Sequence, residues 1–154
     1  MIGGNMKNIF EKMKSSIAVV TTSEGDRING CTVAWFSRVS IEPALIMVSI
    51  APERLTADMI LKTGRFGVNI LSETQLDIAK LFGFKKGRDT NKFENTPYHI
   101  NDGLPVIDDT SVYIGCELYS IHKAGDHILF IGEIKTTESS DKKPLIYDRK
   151  DFLK

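Results

Sequence analysis

One segment of the chain is apolar on both of its faces, and it restricts the possible folds more than any other. It reads ALIMVSIA, from Ala44 to Ala51, and it follows Pro43, which cannot donate to a β-ladder. A half-buried strand alternates apolar and polar residues, so a strand without that alternation needs cover on both sides. In a mostly antiparallel protein, one cover is a barrel interior and the other is a helix or a second subunit.

The remaining strand-like segments are rich in β-branched residues and are separated by turn residues. Ser16–Ser23 and Ile28–Phe36 flank the turn EGD and predict a β-hairpin. Two longer segments, SVYIGCELYSIH and DHILFIGEIKTTE, are joined by the turn KAGD and predict a second pair. Phe66–Leu71 predicts a short strand, and the C-terminal PLIYDRKDFLK predicts a short strand followed by a tail.

Helical spacing of apolar residues is confined to three segments, Asn5–Met13, Leu55–Lys62 and Glu73–Phe82. Gly64 follows the second segment and is expected to be its C-cap. About six or seven strands with two or three helices favour a mainly β barrel with some α structure over a doubly wound sheet. Residues 1–154 are expected to form a single domain, which is long enough to bury a substantial core.

The charge balance argues against a nucleic-acid partner. The chain has 20 basic and 20 acidic residues, whereas nucleic-acid binders carry a basic excess or a basic stripe. No apolar run reaches the ~18 residues that a membrane span needs, and the N-terminal MIGGNMKNIFEKM is too polar for a signal peptide. We therefore expect a cytoplasmic protein with no nucleic-acid and no membrane partner.

The cysteines and histidines predict neither a disulfide nor a metal site. Cys31 and Cys116 lie far apart in the sequence and are expected to be buried, reduced thiols. The histidines, His99, His122 and His127, match no zinc motif.

Catalytic and nucleotide-binding motifs are also lacking, because the chain has no GxGxxG after a strand, no Walker loop, no GxSxG and no HExxH. We therefore expect no catalytic side chain, and any redox chemistry should belong to a cofactor. The segment NGCTVAWFSRVS, Asn29–Ser40, mixes small, hydroxyl and aromatic residues on both faces of a predicted strand. Such a strand suits neither a packed core nor water, but it leaves room for a flat ring and offers it hydrogen bonds.

Two segments are candidates for holding an anionic group. APERLT, Ala51–Thr56, places Arg54 and Thr56 at the start of a predicted helix, where unpaired backbone amides favour anions. GFKKGRDTNKFENTP, Gly83–Pro97, is a long polar segment with basic and aromatic residues, and long loops often bind ligands. The plainer alternatives are a solvated arginine at a helix N-cap and an ordinary solvated loop.

Five of these segments occur in an order that resembles the flavin reductase-like family of FMN-binding split barrels. They are NGCTVAWFSRVS with the strand after Pro43, APERLTADMI, FGVNIL, GFKKGRDTNKF and GDHILFIGEI, and the resemblance covers roughly Ser16–Glu138. The chain looks closest to flavoredoxins and to the flavin domain of flavin reductase–rubredoxin proteins. The resemblance implies an antiparallel, Greek-key split barrel with flanking helices. It also implies a homodimer with FMN, rather than FAD, near the subunit interface.

The resemblance further implies three groups of cofactor-binding residues and one substrate-binding residue. Residues expected to line the isoalloxazine ring are Thr32, Val33, Ala34, Trp35 and Ser37. Residues expected along the ribityl chain and phosphate are Ser49, Ile50, Ala51, Arg54, Leu55 and Thr56. Residues expected to close over the cofactor are Phe84, Lys86, Gly87, Arg88 and Lys92. His127 is expected near the nicotinamide.

By this resemblance the chain is an oxidoreductase in which NAD(P)H reduces bound FMN, which then reduces free flavin, ferric iron or another acceptor. Hydride transfer needs stacked geometry more than an acid or a base, so the missing catalytic triad is compatible with it. One alternative is a flavoredoxin-type electron carrier that exchanges electrons with a redox partner protein and uses NAD(P)H poorly. Another is a flavin-binding module without turnover.

Overall fold

The structure is a computed structural model, and it describes residues 6–152. The strands in chain order are β1 Ala18–Glu24, β2 Arg27–Val33, β3 Phe36–Ser40, β4 Leu45–Ile50, β5 Arg65–Ile70, β6 Tyr98–Asn101, β7 Leu104–Ile107, β8 Val112–Ala124 and β9 His127–Ser139. The helices are α1 Met6–Glu11, α2 Leu55–Thr63, α3 Leu76–Phe84 and α4 Arg149–Phe152. Asn5, the predicted start of the first helix, lies outside the described residues.

Seven of these strands form one antiparallel sheet in the order β2-β1-β5-β8-β9-β4-β3, while β6 and β7 pair as a separate hairpin. β2 and β3 are consecutive in the chain, yet they occupy opposite edges of the sheet and only Ala34 and Trp35 lie between them. A sheet whose edges are joined so directly must curl into a barrel. Because the two edge strands do not pair, the barrel stays open along this line, and the expected split barrel is confirmed.

The segment that is apolar on both faces is β4, which lies between β3 and β9. Ile46 and Val48 belong to the barrel core, in the same cluster as Phe130 from β9. Leu45 and Ser49, on the other face of the strand, are also buried. The covered strand predicted from the sequence is therefore observed.

A second apolar cluster packs α3 against the outside of the sheet. Ala79 and Phe82 from the helix meet Val19 and Leu71 in this cluster. Phe93, from the polar segment after α3, is buried in the same cluster, with its ring edge-on to that of Phe82 at 5.1 Å. The segment is therefore anchored to the core at Phe93, whereas residues 84–91 are exposed apart from the partly buried Gly87.

The prediction of one strand over Ile28–Phe36 is wrong. β2 ends at Val33, the chain bends at Ala34, and β3 begins at Phe36. The break has a topological cause, since the chain leaves one edge of the sheet here and joins the other. The Trp35 carbonyl accepts a hydrogen bond from the Ser49 amide, at 3.0 Å, and this bond fixes the crossing to β4.

Other differences between the sequence prediction and the structure concern element ends and one missed hairpin. α3 begins at Leu76 rather than Glu73, because the Gln75 side chain accepts a hydrogen bond from the Ser72 amide and holds a turn there. The C-terminal segment forms only isolated bridges at Pro144 and Ile146 before α4. The hairpin β6–β7 was not predicted from the sequence. Within residues 6–152, no helix is long and apolar enough to cross a membrane.

His99 connects the hairpin β6–β7 to the main sheet. Its Nδ1 lies 2.7 Å from an Asp108 oxygen and its Nε2 lies 2.9 Å from a Glu138 oxygen on β9. Ionised carboxylates only accept hydrogen bonds, so both ring nitrogens can donate only when the imidazole is protonated. The bond to Asp108, followed by that to Glu138, raises the pKa of His99.

We expect this connection to weaken in alkali. Because the folded-state pKa is raised, the stabilisation is complete below the unfolded value of about 6.5 and is lost as the pH rises through the folded value. The measurement is the melting temperature of wild type and His99→Phe from about pH 5.5, where the carboxylates stay ionised, to about pH 9. The difference in melting temperature between wild type and His99→Phe should shrink with rising pH. A difference that stays constant contradicts the assignment of a protonated His99 that donates to both carboxylates.

Candidate functional site

Two positively charged side chains, Arg54 and Lys92, meet at the C-terminal end of α3. Arg54 donates from Nη2 to the Phe82 carbonyl at 2.7 Å and from Nη1 to the Gly83 carbonyl at 3.3 Å. Lys92 donates to the Gly30 carbonyl on β2 at 2.7 Å and to the same Phe82 carbonyl at 3.4 Å. The last carbonyls of a helix carry partial negative charge, so both cations complement this end of α3.

The charge at this point is not balanced by acidic side chains. None of the ion pairs found within residues 6–152 includes Arg54 or Lys92. Lys92 is only 3% exposed. Its burial, and then the nearby charge of Arg54, lower the pKa of Lys92 to about 8. Two neighbouring cations without a carboxylate partner favour binding of an anion, which offsets the cost of placing like charges together.

The turn after β4 places Arg54 at the start of α2. The Arg54 amide donates to the Ala51 carbonyl at 3.1 Å, and Arg54 is the N-cap residue of the helix. Its side chain makes no capping hydrogen bond. The first amides of a helix lack intrahelical partners and carry partial positive charge. The N-terminal end of α2 therefore adds to the positive potential beside Arg54 and Lys92.

Thr56, in the first turn of α2, is fully buried, which was not expected. Its hydroxyl accepts a hydrogen bond from the Asn29 side-chain amide at 2.9 Å. The Cys31 thiol lies beside it: burial raises the pKa of Cys31, while Arg54, Thr56 and Lys92 oppose that rise. Cys31 is a buried thiol, as predicted. Asn29 was not predicted as a site residue, and the one available signal was a carboxamide at the second position of a predicted strand.

The loop after α3 approaches the N-terminal end of α2. Arg88 forms an ion pair with Asp58 in the first turn of α2, and both side chains are about half exposed. The backbone at Gly87 lies against the Asn29 amide. Lys86 is exposed, and its carbonyl accepts hydrogen bonds from two following amides. The structure thus brings together Arg54, Thr56, Gly87, Arg88 and Lys92, which come from two segments of the sequence.

A second group of predicted residues meets at the split in the barrel. The Trp35 ring lies on the His127 ring at the tip of the β8–β9 hairpin, with centroids 4.8 Å apart and planes inclined by 46°. His127 Nδ1 lies 2.8 Å from an Asp126 oxygen. Ser49 is hydrogen-bonded to Trp35 through the backbone and is itself buried, so the aromatic surface consists of Trp35 and His127. Trp35 is 63% exposed, which is unusual for a large aromatic side chain.

The other predicted residues range from buried to exposed. Three of them, Val33, Ile50 and Leu55, are buried. Thr32 donates to the Ala79 carbonyl at 2.7 Å, and Ser37 is exposed and bonds to a neighbouring carbonyl. Ala34 and Ala51 are partly buried at bends of the chain, and Phe84 is exposed with its ring edge-on to Phe152.

Comparison with known proteins gives a consistent result. The domain family described as "Flavin reductase like domain" matches residues 10–154. The chain is 34% identical over 145 residues to a flavin reductase of Pseudomonas putida, covering 90% of this chain and 82% of that protein. It is 32% identical over 138 residues to the NADH-dependent flavin reductase StyB of Pseudomonas fluorescens, covering 86% and 78%.

A solved structure shares the fold over nearly the whole chain. It is an FMN-binding protein from Thermus thermophilus, crystallised with bound p-hydroxybenzaldehyde. Its structure matches with a TM-score of 0.87 at 27% identity, and the match covers 96% of this chain and 89% of that one.

Sulfate should stabilise the protein, and more strongly near neutral pH than in alkali. Below pH 8 Arg54 and the buried, protonated Lys92 both contribute positive charge to the anion site. As the pH rises through the Lys92 pKa of about 8, one of the two charges is lost. The measurement is the rise in melting temperature in sulfate over chloride at matched ionic strength, at about pH 7 and about pH 9.5. Arg54→Gln should remove most of that rise. A rise that is equal at both pH values, or unchanged in the variant, contradicts the anion site.

Proposed function

The chain belongs to the family of flavin reductase like domains, and we propose that it uses FMN to pass electrons from a reduced nicotinamide to an acceptor. It is a flavin-dependent oxidoreductase of the NAD(P)H-dependent flavin reductase type. The resemblance found in the sequence is therefore confirmed. FMN as the flavin, NADH as the donor and the individual residue roles are the proposal.

The observation that carries the proposal is the pair of cations at the end of α3. FMN ends in a phosphate monoester that is close to dianionic near neutral pH, and such a group needs charge-assisted donors. Arg54 uses two of its five N–H groups on the carbonyls of α3 and also contacts the Cys31 thiol, so only part of its donor capacity remains for a ligand. We assign the phosphate to Arg54, to the adjoining start of α2 and to Arg88. Lys92 is buried beside Arg54 and contributes positive charge to the phosphate site without being exposed to it.

This donor set favours FMN over FAD. The phosphate monoester of FMN concentrates nearly two charges on one group, whereas each phosphate of a dinucleotide carries about one. Arg54 begins α2 and Arg88 pairs with Asp58 in the first turn of the same helix, so two guanidinium groups at one helix start complement the more concentrated charge. The FMN-binding neighbour from Thermus thermophilus supports the same choice.

The aromatic surface of Trp35 and His127 suits the binding of the flavin and nicotinamide rings. A bound flavin supplies the redox chemistry, because it accepts hydride from a nicotinamide and releases electrons to an acceptor. The chain has to bind and orient the two rings and to exclude water from between them. We assign Trp35 to the ring end of the flavin site and His127 to the nicotinamide. Asp126 holds the His127 ring through Nδ1, which leaves Nε2 to face a ligand.

The remaining assignments concern partners. Exposed apolar side chains on or next to β3, and on β8, support a homodimer; they include Val39, Ile41, Tyr119 and Ile121. Free flavin, ferric iron and a redox partner protein are the acceptor classes that fit an exposed flavin edge. Location in the cytoplasm stays a prediction.

Anaerobic addition of NADH to the FMN-loaded protein should bleach the flavin absorbance rapidly, and NADPH should act more slowly. The expected preference follows from the similarity to StyB, whose name records NADH dependence. Flavin that binds but is reduced only by a partner protein would select the electron-carrier alternative. Flavin that does not bind at all would contradict the proposal.

His127→Ala provides the internal control for the nicotinamide assignment. We expect slower bleaching at low NADH, recovered at high NADH, with FMN affinity unchanged, because the side chain is assigned to the nicotinamide alone. Ser120→Ala, on the same hairpin, is the matched variant that should leave both quantities unchanged. A loss of FMN affinity equal to the loss of NADH use removes His127 from this role.

A further inference from the structure

Asn29 is a buried polar residue that connects β2 to the start of α2. It is 4% exposed and pairs with Thr22 across the β1–β2 ladder. Its side-chain nitrogen donates to the Thr56 hydroxyl at 2.9 Å, and Thr56 is itself fully buried. Because a buried donor that loses its partner is costly, this amide and the first turn of α2 hold each other in place.

The same amide also determines how closely the loop after α3 can approach. A Cβ added to Gly87 would lie 2.4 Å from Asn29 Oδ1 and 2.6 Å from Asn29 Nδ2. The φ of Gly87 lies outside the left-handed region that favours glycine. Glycine is therefore needed here for its missing side chain, which lets the loop backbone rest directly on the amide.

The contacts of Asn29 with Thr56 and with Gly87 both lie next to residues that we assign to the phosphate. Gly87 precedes Arg88, and the Lys86 carbonyl accepts hydrogen bonds from the Asp89 and Thr90 amides at 3.0 Å, so Arg88 lies within a tight turn. Thr56 follows Arg54 by two residues in the first turn of α2. Movement of the Asn29 amide would therefore displace the loop and the helix start together.

We propose that Asn29 is a positioning residue that sets the distance between the loop at Gly87–Arg88 and the N-terminal end of α2, and thereby the affinity for the flavin phosphate. The inference rests on the proposed function. Asn29 acts through Thr56 and Gly87, and it need not touch the ligand. A residue that supports only the fold would affect FMN and riboflavin alike, whereas this role affects the ligand that carries the phosphate.

The test is a double-mutant cycle of Asn29→Ala and Gly87→Ala, with FMN and riboflavin affinities measured by quenching of flavin fluorescence. Each single variant should lower FMN affinity by about tenfold and riboflavin affinity by less than about twofold. In Gly87→Ala the new methyl group pushes the amide off Thr56. Once Asn29 is alanine that clash is gone, so the double variant should bind FMN no more weakly than Asn29→Ala.

Asn69→Ala is the matched control. Asn69 is also a buried asparagine in a strand, but its amide bonds to the Val19 carbonyl and to Thr21, beneath the β6–β7 hairpin. It should lower the melting temperature without changing the ratio of FMN to riboflavin affinity. A matching change of that ratio in Asn69→Ala would overturn the role of Asn29.

Two further results separate the inference from the function on which it rests. If wild type prefers FMN but the two single losses multiply in the double variant, the coupling through Asn29 is overturned and the phosphate site stands. If wild type binds FMN and riboflavin equally, the phosphate site fails, and the inference fails with it.

Discussion

Arg54 and Lys92 share the Phe82 carbonyl at the end of α3, and the arrangement of the site depends on this contact. Arg54 begins α2, while Lys92 comes from the loop and also bonds to Gly30 on β2. One carbonyl thus connects two helices, a strand and a loop. This arrangement places two like charges where water solvates them poorly, which is unfavourable. Burial and the charge of Arg54 accordingly lower the pKa of Lys92. A structure that keeps such a pair without a carboxylate is well suited to gain stability from a bound anion.

The path of the chain at the barrel split provides the other half of the site. Because β2 and β3 occupy opposite edges of the sheet, the residues between them lie where the barrel stays open. Trp35 is held there by the Ser49 amide and meets His127 from the β8–β9 hairpin. The cation pair and the aromatic pair are therefore set by different parts of the fold, one by helix ends and the other by sheet topology. We assign the phosphate to the first and the ring chemistry to the second.

Features determined by neighbours in the chain were predictable from the sequence, and features determined by distant contacts were not. Gly64 ends α2 with a φ of 68°, as its position predicts. The turn at Asp102 and Gly103, with φ values of 50° and 82°, has a typical hairpin dipeptide, but the strands on either side of it are only four residues long and show no clear alternation. The break at Ala34 follows from the closure of the sheet, and the burial of Lys92 follows from its contacts with Gly30 and Phe82. No local pattern marks either of them. Arg54, Thr56 and the basic loop were indicated by the sequence itself, the other site residues came from the family resemblance, and the roles of all of them stay predictions.

The central claim, that the cations at the end of α3 hold a flavin phosphate, is tested most directly by comparing FMN with riboflavin. Wild type should bind FMN more tightly, and Arg54→Gln should lose about ten- to a hundredfold of FMN affinity while riboflavin affinity hardly changes. Dissociation constants from fluorescence quenching, at fixed ionic strength, give both numbers. Equal affinities of wild type for the two flavins, or equal losses in the variant, would contradict the claim.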